Sequence, residues 1–115
     1  YDDEVILRVL RTIETRYRDG SLTEIADALP YELTALSRLI KRRTGKTYTE
    51  LLQEKRLSQA AWLLQNTDLR IEEISVAVGY ENQSYFYRVF ESRFGCSPRK
   101  YRLANQDSFS ANSRP

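Results

Sequence analysis

The sequence predicts an all-α fold: seven helices forming two helix-turn-helix subdomains joined by a long linking helix. Three observations predict it. Apolar residues recur at three- and four-residue spacing, and no segment sustains the two-residue alternation of a half-buried strand. Glycines, prolines and capping residues cut the chain into short helical pieces. The chain also resembles itself at an offset of 49 to 50 residues.

The elements follow in order. Ile6, Val9, Leu10, Ile13 and Tyr17 line one side of a first helix that Gly20 stops. "SLTE" opens the second: Ser21 can cap free amides while Glu24, three residues on, reaches back. That short helix, LTEIADAL, ends at Pro30, and a third covers about 33–43 before Gly45. The long helix is expected over about 49–65, broken by QNTD. RIEEISVAV forms a fifth helix ended by Gly79, and SYFYRVFESRF a sixth ended by Gly95. Ser97 and Pro98 suit the cap and first turn of a last short helix through Tyr101. These breaks divide the chain into a first subdomain (1–48), a linking helix (49–66), a second subdomain (67–104) and a tail (105–115). The tail is polar apart from Phe109 and is expected to be disordered.

The repeat gives this order a meaning. Glu24-Ile25 returns as Glu73-Ile74 and Tyr31-Glu32 as Tyr80-Glu81, at an offset of 49. Arg38 returns as Arg88, Ile40 as Phe90 and Gly45 as Gly95, at an offset of 50. The one-residue slip is expected between Glu32 and Leu36, because inside a helix it would rotate every later side chain by about 100°. Each copy has the outline of a helix-turn-helix, although a plain helical hairpin that only packs has the same outline.

Composition narrows the chemistry. The chain of 115 residues has no histidine and one cysteine, so the commonest general base, the commonest metal ligand and a Cys–His nucleophile are all missing. No Gly-rich phosphate loop appears; neither catalysis, a metal nor a cofactor is expected. Lone Cys96 fits a reducing cytoplasm. No apolar run approaches the ~20 residues that span a bilayer. The chain begins at Tyr1 and has no methionine, as expected of a piece of a longer protein with a missing neighbour. Net charge is only +2, yet residues 38–56 carry seven bases against Glu50 and Glu54, and 88–102 carry five against Glu91. Affinity for a polyanion would come from that clustering.

Facial chemistry points the same way. In the sixth helix Phe86, Val89 and Phe90 share an inward face with Phe94 at its edge. Ser84, Tyr87, Arg88 and Glu91 look outward, with Tyr85 flanking. In the third, Leu36, Leu39 and Ile40 turn inward, and Thr34, Ser37, Arg38, Lys41 and Arg42 outward. An apolar back with an outward arginine among short polar groups is what a major-groove reader needs, since arginine bonds bidentately to guanine. The rival is a solvated face with incidental arginines.

"TDLRIEEISVAVGYENQSYFYRVFESRFGCSPRKYR" carries I-x-x-I, V-G-Y, S-Y-F-x-R-x-F and F-G-x-S-P-x-x-Y-R in order. "LSRLIKRRTGKTYTELLQEKRLSQAAWLL" precedes it. Over about residues 5–103 the chain resembles the C-terminal DNA-binding domain of the AraC/XylS family of bacterial transcription regulators. The resemblance implies two recognition helices entering successive major-groove segments, about 34 Å apart, joined by a helix roughly 24 Å long. By position it implies base-edge contacts from Thr34, Ser37 and Arg38, and from Gln83, Ser84, Tyr87 and Arg88. It implies phosphate contacts from Lys41, Arg42, Arg99 and Lys100, with the amides that start both recognition helices. Pro30 and Glu32 depart from the family's Gly and capping Ser, Ala35 from a frequent aromatic, and Glu91 from a Lys. Arg70 stands at a common capping Ser, so that helix is expected to begin at Thr67 or Asp68.

Two residues of the long helix stand apart. Arg56 shares a face with Leu52, Ala60, Leu63 and Leu64, so an ion pair with Glu24 or Glu73 is expected, the rival being an arginine that snorkels to water or phosphate. Trp62 points away beside Lys55, Ser58, Gln59 and Gln65, a candidate protein contact unless it packs on the first helix or over lysine stems. The expected function is sequence-specific binding of double-stranded DNA by a transcription activator in the cytoplasm, associated with the nucleoid. Its expected partners are an N-terminal effector or oligomerisation domain and RNA polymerase. The alternative is a helical protein-interaction module without DNA contact.

Overall fold

A computed structural model describes the backbone of residues 1–113 and the side chains of residues 1–105. Within them lie seven helices: α1 (Asp2–Arg16), α2 (Leu22–Asp27), α3 (Leu33–Thr44), α4 (Tyr48–Asn66), α5 (Ile71–Ala77), α6 (Gln83–Phe94) and α7 (Pro98–Ser113). The chain divides into two compact units, Tyr1–Arg56 and Leu57–Pro115. The division falls inside α4, so the linking helix contributes a half to each unit. No described helix is long and apolar enough to cross a membrane.

The first unit is built on Val5, Val9 and Ile13 of α1, which pack with Ile25 and Ala26 of α2 and with Leu36, Leu39 and Ile40 of α3. The second has an aromatic core. Phe86 and Phe90 are fully buried with centroids 5.8 Å apart, and Tyr101 of α7 meets Phe90 edge-on at 5.5 Å. Leu57, Ala60, Ala61 and Leu64 of α4 and Ile74 of α5 are also buried in this unit.

Caps fix the boundaries. Ser21 Oγ accepts from the Glu24 amide at 3.2 Å, one arm of the capping box expected from SLTE; the returning arm does not form, because the Glu24 carboxylate turns instead to Arg16, 3.4 Å away. Ahead of α4 both arms of a capping box form. The Glu50 amide donates to Thr47 Oγ1 at 3.1 Å and the Thr47 amide to Glu50 Oε1 at 3.2 Å. At the matching place ahead of α7, Ser97 Oγ accepts from the Lys100 amide at 3.2 Å and Pro98 opens the helix.

Four expectations change. Helix α5 starts at Ile71, not near Thr67, because Glu73 reaches back to accept from the Arg70 amide at 3.0 Å. An arginine side chain has no acceptor, so only this returning arm of a capping box can form. The slip in the repeat lies just ahead of the expected stretch, between Tyr31 and Glu32. Glu32 caps α3 and Asn82 caps α6, so the additional residue of the second copy sits between Tyr80 and Asn82. Helix α7 runs to Ser113 rather than ending at Tyr101. The tail 105–115, expected to be disordered, thus has a helical backbone to Ser113; its side chains beyond Asn105, and all of 114–115, lie outside the described residues.

The fourth concerns Arg56. Its Nε donates to the Tyr17 carbonyl at 2.7 Å and its Nη2 to the Arg18 carbonyl at 3.2 Å. Glu24, one expected partner, faces Arg16, and Glu73, the other, faces Arg70 at 3.1 Å. The physical reason is the end of α1. A helix leaves its last carbonyls without donors, and a guanidinium with several N–H groups satisfies two at once. The second unit repeats the device with a different residue: Arg102 of α7 donates to Leu64 O and Thr67 O, both at 3.1 Å, at the end of α4.

Candidate nucleic-acid interface

Each recognition helix, α3 and α6, is twelve residues long and ends in a glycine with positive φ, Gly45 at 79° and Gly95 at 77°. A side chain would be strained in that left-handed conformation, and glycine is not. Leu36, Leu39 and Ile40 anchor one helix and Phe86 and Phe90 the other, all buried; Val89 is half-buried beside them. These buried stripes decide which residues face out.

On α3, Thr34, Ser37 and Arg38 are exposed, as expected for base-edge contacts. Among the described residues none of the three bonds to a protein partner, so all their donors are available. Lys41 and Arg42 are exposed, with Lys41 Nζ donating to the Gly45 carbonyl at 3.0 Å. Next to them Arg43 pairs with Asp2, 3.6 Å away, and with Asp3. Asp2 also accepts from the Tyr31 hydroxyl at 2.5 Å. That bond, helped by Arg43, holds the Asp2 carboxyl below its ordinary range and lifts the Tyr31 phenol. Glu32 caps α3 without a side-chain bond, and its carboxylate is exposed.

On α6, Gln83, Ser84 and Arg88 are exposed and Tyr87 is half-buried, its ring 6.1 Å from Phe86. On this face, unlike that of α3, the side chains engage one another and the helix start. Asn82 accepts from the Tyr85 amide at 3.0 Å and closes the helix start. Gln83 Nε2 makes a long hydrogen bond, 3.5 Å, to the Tyr87 hydroxyl. Arg88 Cζ lies 5.9 Å from the centre of the Tyr85 ring. Arg99 and Lys100 are exposed in the first turn of α7. Glu91, at the position of Lys41, leaves the end of α6 less positive.

The structure thus turns outward all the arginines, lysines and short polar groups expected to touch DNA. Trp62 is 57% exposed and Lys55 is engaged elsewhere, 2.7 Å from Glu14. Sequence reasoning missed three features. "N-x-x-Y" at 82–85 and "T-x-x-E" at 47–50 were readable as caps. The Asp2–Tyr31 bond joins residues 29 positions apart and leaves no local trace.

The model of the helix-turn-helix domain family matches residues 25–104. A xylose operon regulatory protein of Haemophilus influenzae is 35% identical over 80 residues, 70% of this chain and 21% of that protein. The HTH-type transcriptional activator RhaR of Mannheimia succiniciproducens is 37% identical over 70 residues, 61% of this chain and 25% of its own length. The chain therefore spans about a fifth to a quarter of these curated relatives. Among solved structures, the C-terminal domain of AraT, a response regulator from Geobacillus stearothermophilus, superposes with a TM-score of 0.81 at 35% identity, covering 87% of this chain and 84% of that one. With the doubled helix-turn-helix, its two left-handed glycine stops and its outward arginines, these matches show that the chain belongs to the AraC/XylS family of helix-turn-helix transcription regulators.

Proposed function

We propose that this chain binds double-stranded DNA in a sequence-specific way, with α3 and α6 each entering a major-groove segment. The observation that carries it is the pairing of Arg38 and Arg88: each stands exposed at the same position of its recognition helix, opposite a fully buried apolar stripe. Arg88, Gln83, Ser84 and Tyr87 read base edges from α6; Arg38, Ser37 and Thr34 do so from α3. Lys41, Arg42, Arg99 and Lys100 hold phosphates and set the register without carrying sequence information. The role is regulatory and not catalytic, in transcription activation within the cytoplasm. The relatives' greater length and the name of RhaR support an activator with a companion effector or oligomerisation domain. Trp62 offers an exposed indole to that domain or to RNA polymerase.

Selection of bound oligonucleotides from a random pool tests the reading. Two short motifs about one helical turn apart are expected, with affinity falling steeply as salt rises. One motif only would leave a single helix reading. Weak binding indifferent to salt would overturn the DNA reading, and Trp62 fluorescence unchanged on adding a companion domain would overturn that contact.

A further inference from the structure

The two reading faces are supported differently. On α6, Arg88 lies one turn beyond Tyr85, which is 41% exposed and whose ring leans on Tyr80 with centroids 5.9 Å apart. Tyr80 is buried and stapled in both directions to Ser75. Its amide donates to the Ser75 carbonyl at 2.9 Å, and the Ser75 hydroxyl donates to its carbonyl at 3.2 Å. A continuous series of contacts therefore runs from the buried turn to the guanidinium. The matching residues of the first unit are Ala26, Tyr31, Ala35 and Arg38. Ala26 has no hydroxyl, Tyr31 sends its own to Asp2, and Ala35 has no ring to place beneath Arg38.

A long arginine loses rotamer freedom when it is fixed on a base, and that loss weakens binding unless it has been incurred beforehand. A ring attracts the face of a guanidinium and leaves the N–H edge free for a bidentate acceptor. We propose that Tyr85 is a positioning residue for base recognition: its ring, seated on Tyr80, holds Arg88 ready before DNA arrives, so α6 discriminates bases more sharply than α3. The proposal rests on Arg88 reading a base.

The test measures Kd for the selected duplex and each of its single-base variants, across salt, with Y85F, Y85L, R88A and the double variant Y85L/R88A. Tyr85→Leu is expected to reduce discrimination at the base read by Arg88 by about 2- to 5-fold, with the salt slope unchanged. Tyr85→Phe keeps the ring and should behave as the parent, and Y85L should change nothing further once Arg88 is alanine. An equal loss on every duplex, or the same loss in the R88A background, overturns the proposal and assigns Tyr85 to packing. An R88A chain that keeps every base preference overturns Arg88 as a reader instead. Should Y85L fail to fold, Tyr85→Trp serves: the larger ring is expected to sharpen discrimination, and an unchanged or blunter preference overturns the idea.

Discussion

Leu36 in the first unit and Phe86 in the second occupy matching positions, and both are fully buried; around them the units are fastened by different means. The first surrounds Leu36 with aliphatic residues and ties its turn to α1 through charge, with Asp2 bonded to Tyr31 and paired with Arg43. The second surrounds Phe86 with rings and ties its turn through main chain, with Ser75 and Tyr80 bonded to each other. Electrostatic ties at an exposed edge weaken with salt and acid, whereas a buried hydroxyl-to-carbonyl bond does not titrate. The lesson is that one backbone plan tolerates two fastening schemes, one that responds to salt and acid and one that does not.

The comparison can be broken most forcefully at its centre. Phe86→Ala should cost about 3–5 kcal/mol and Leu36→Ala about 2–5 kcal/mol, measured by denaturant unfolding; a negligible loss at either would mean that the cores are not equivalent. The arginine clamps come next. Arg56→Ala and Arg102→Ala should each cost about 1–3 kcal/mol, seen as lowered melting temperatures with site preference intact. If Arg56→Ala left the melting temperature unmoved and only weakened DNA binding, the likeness of the two clamps would be lost. Arg88→Ala should cost ~1–3 kcal/mol on the preferred duplex and relax one base position; an equal loss on all sequences would make it a phosphate contact. Ala35→Tyr sharpens the comparison by giving α3 the missing ring. Discrimination at the base read by Arg38 should rise by about 2- to 5-fold, checked on the same set of single-base variants.

The smallest effect is pH dependence. Hydrogen bonds from the amide and hydroxyl of Thr47 hold the Glu50 carboxyl below its ordinary range, and bonds from Arg70 do the same for Glu73. A carboxyl whose folded pKa lies below its unfolded one adds stability above the unfolded pKa, and that stability is lost as pH falls through the folded value. Melting temperature should therefore drop below about pH 5, and Glu50→Gln with Glu73→Gln should flatten the slope. A slope unchanged by both substitutions would remove these two caps from the account.

Helix number, the inward stripes and the outward arginines were legible because each depends on local spacing. Apolar period places Phe86 and Phe90, and S-x-x-E places the start of α2. What was not legible depends on groups every residue shares. Arg56 could be assigned a face, but its partners are main-chain carbonyls, which the sequence does not distinguish. The start of α5 went wrong for a related reason: side-chain capping rules disfavour Arg70, whereas the bond that forms uses its amide. The slip before α3 was misplaced because Glu32 and Glu81 match as letters, while the backbone pairs Glu32 with Asn82 as caps. Beyond Tyr101 no apolar period continues, and the extension of α7 had no signal to announce it.

Because the boundary between the units falls within α4, each unit owns about half of a 19-residue helix. A free stretch of nine or ten residues is below the roughly 12–15 at which an isolated helix holds together in water. Severing the chain after Arg56 would leave both fragments with a fraying stump where a wall of the core had been. Either fragment should therefore unfold more readily than the same residues do within the intact chain.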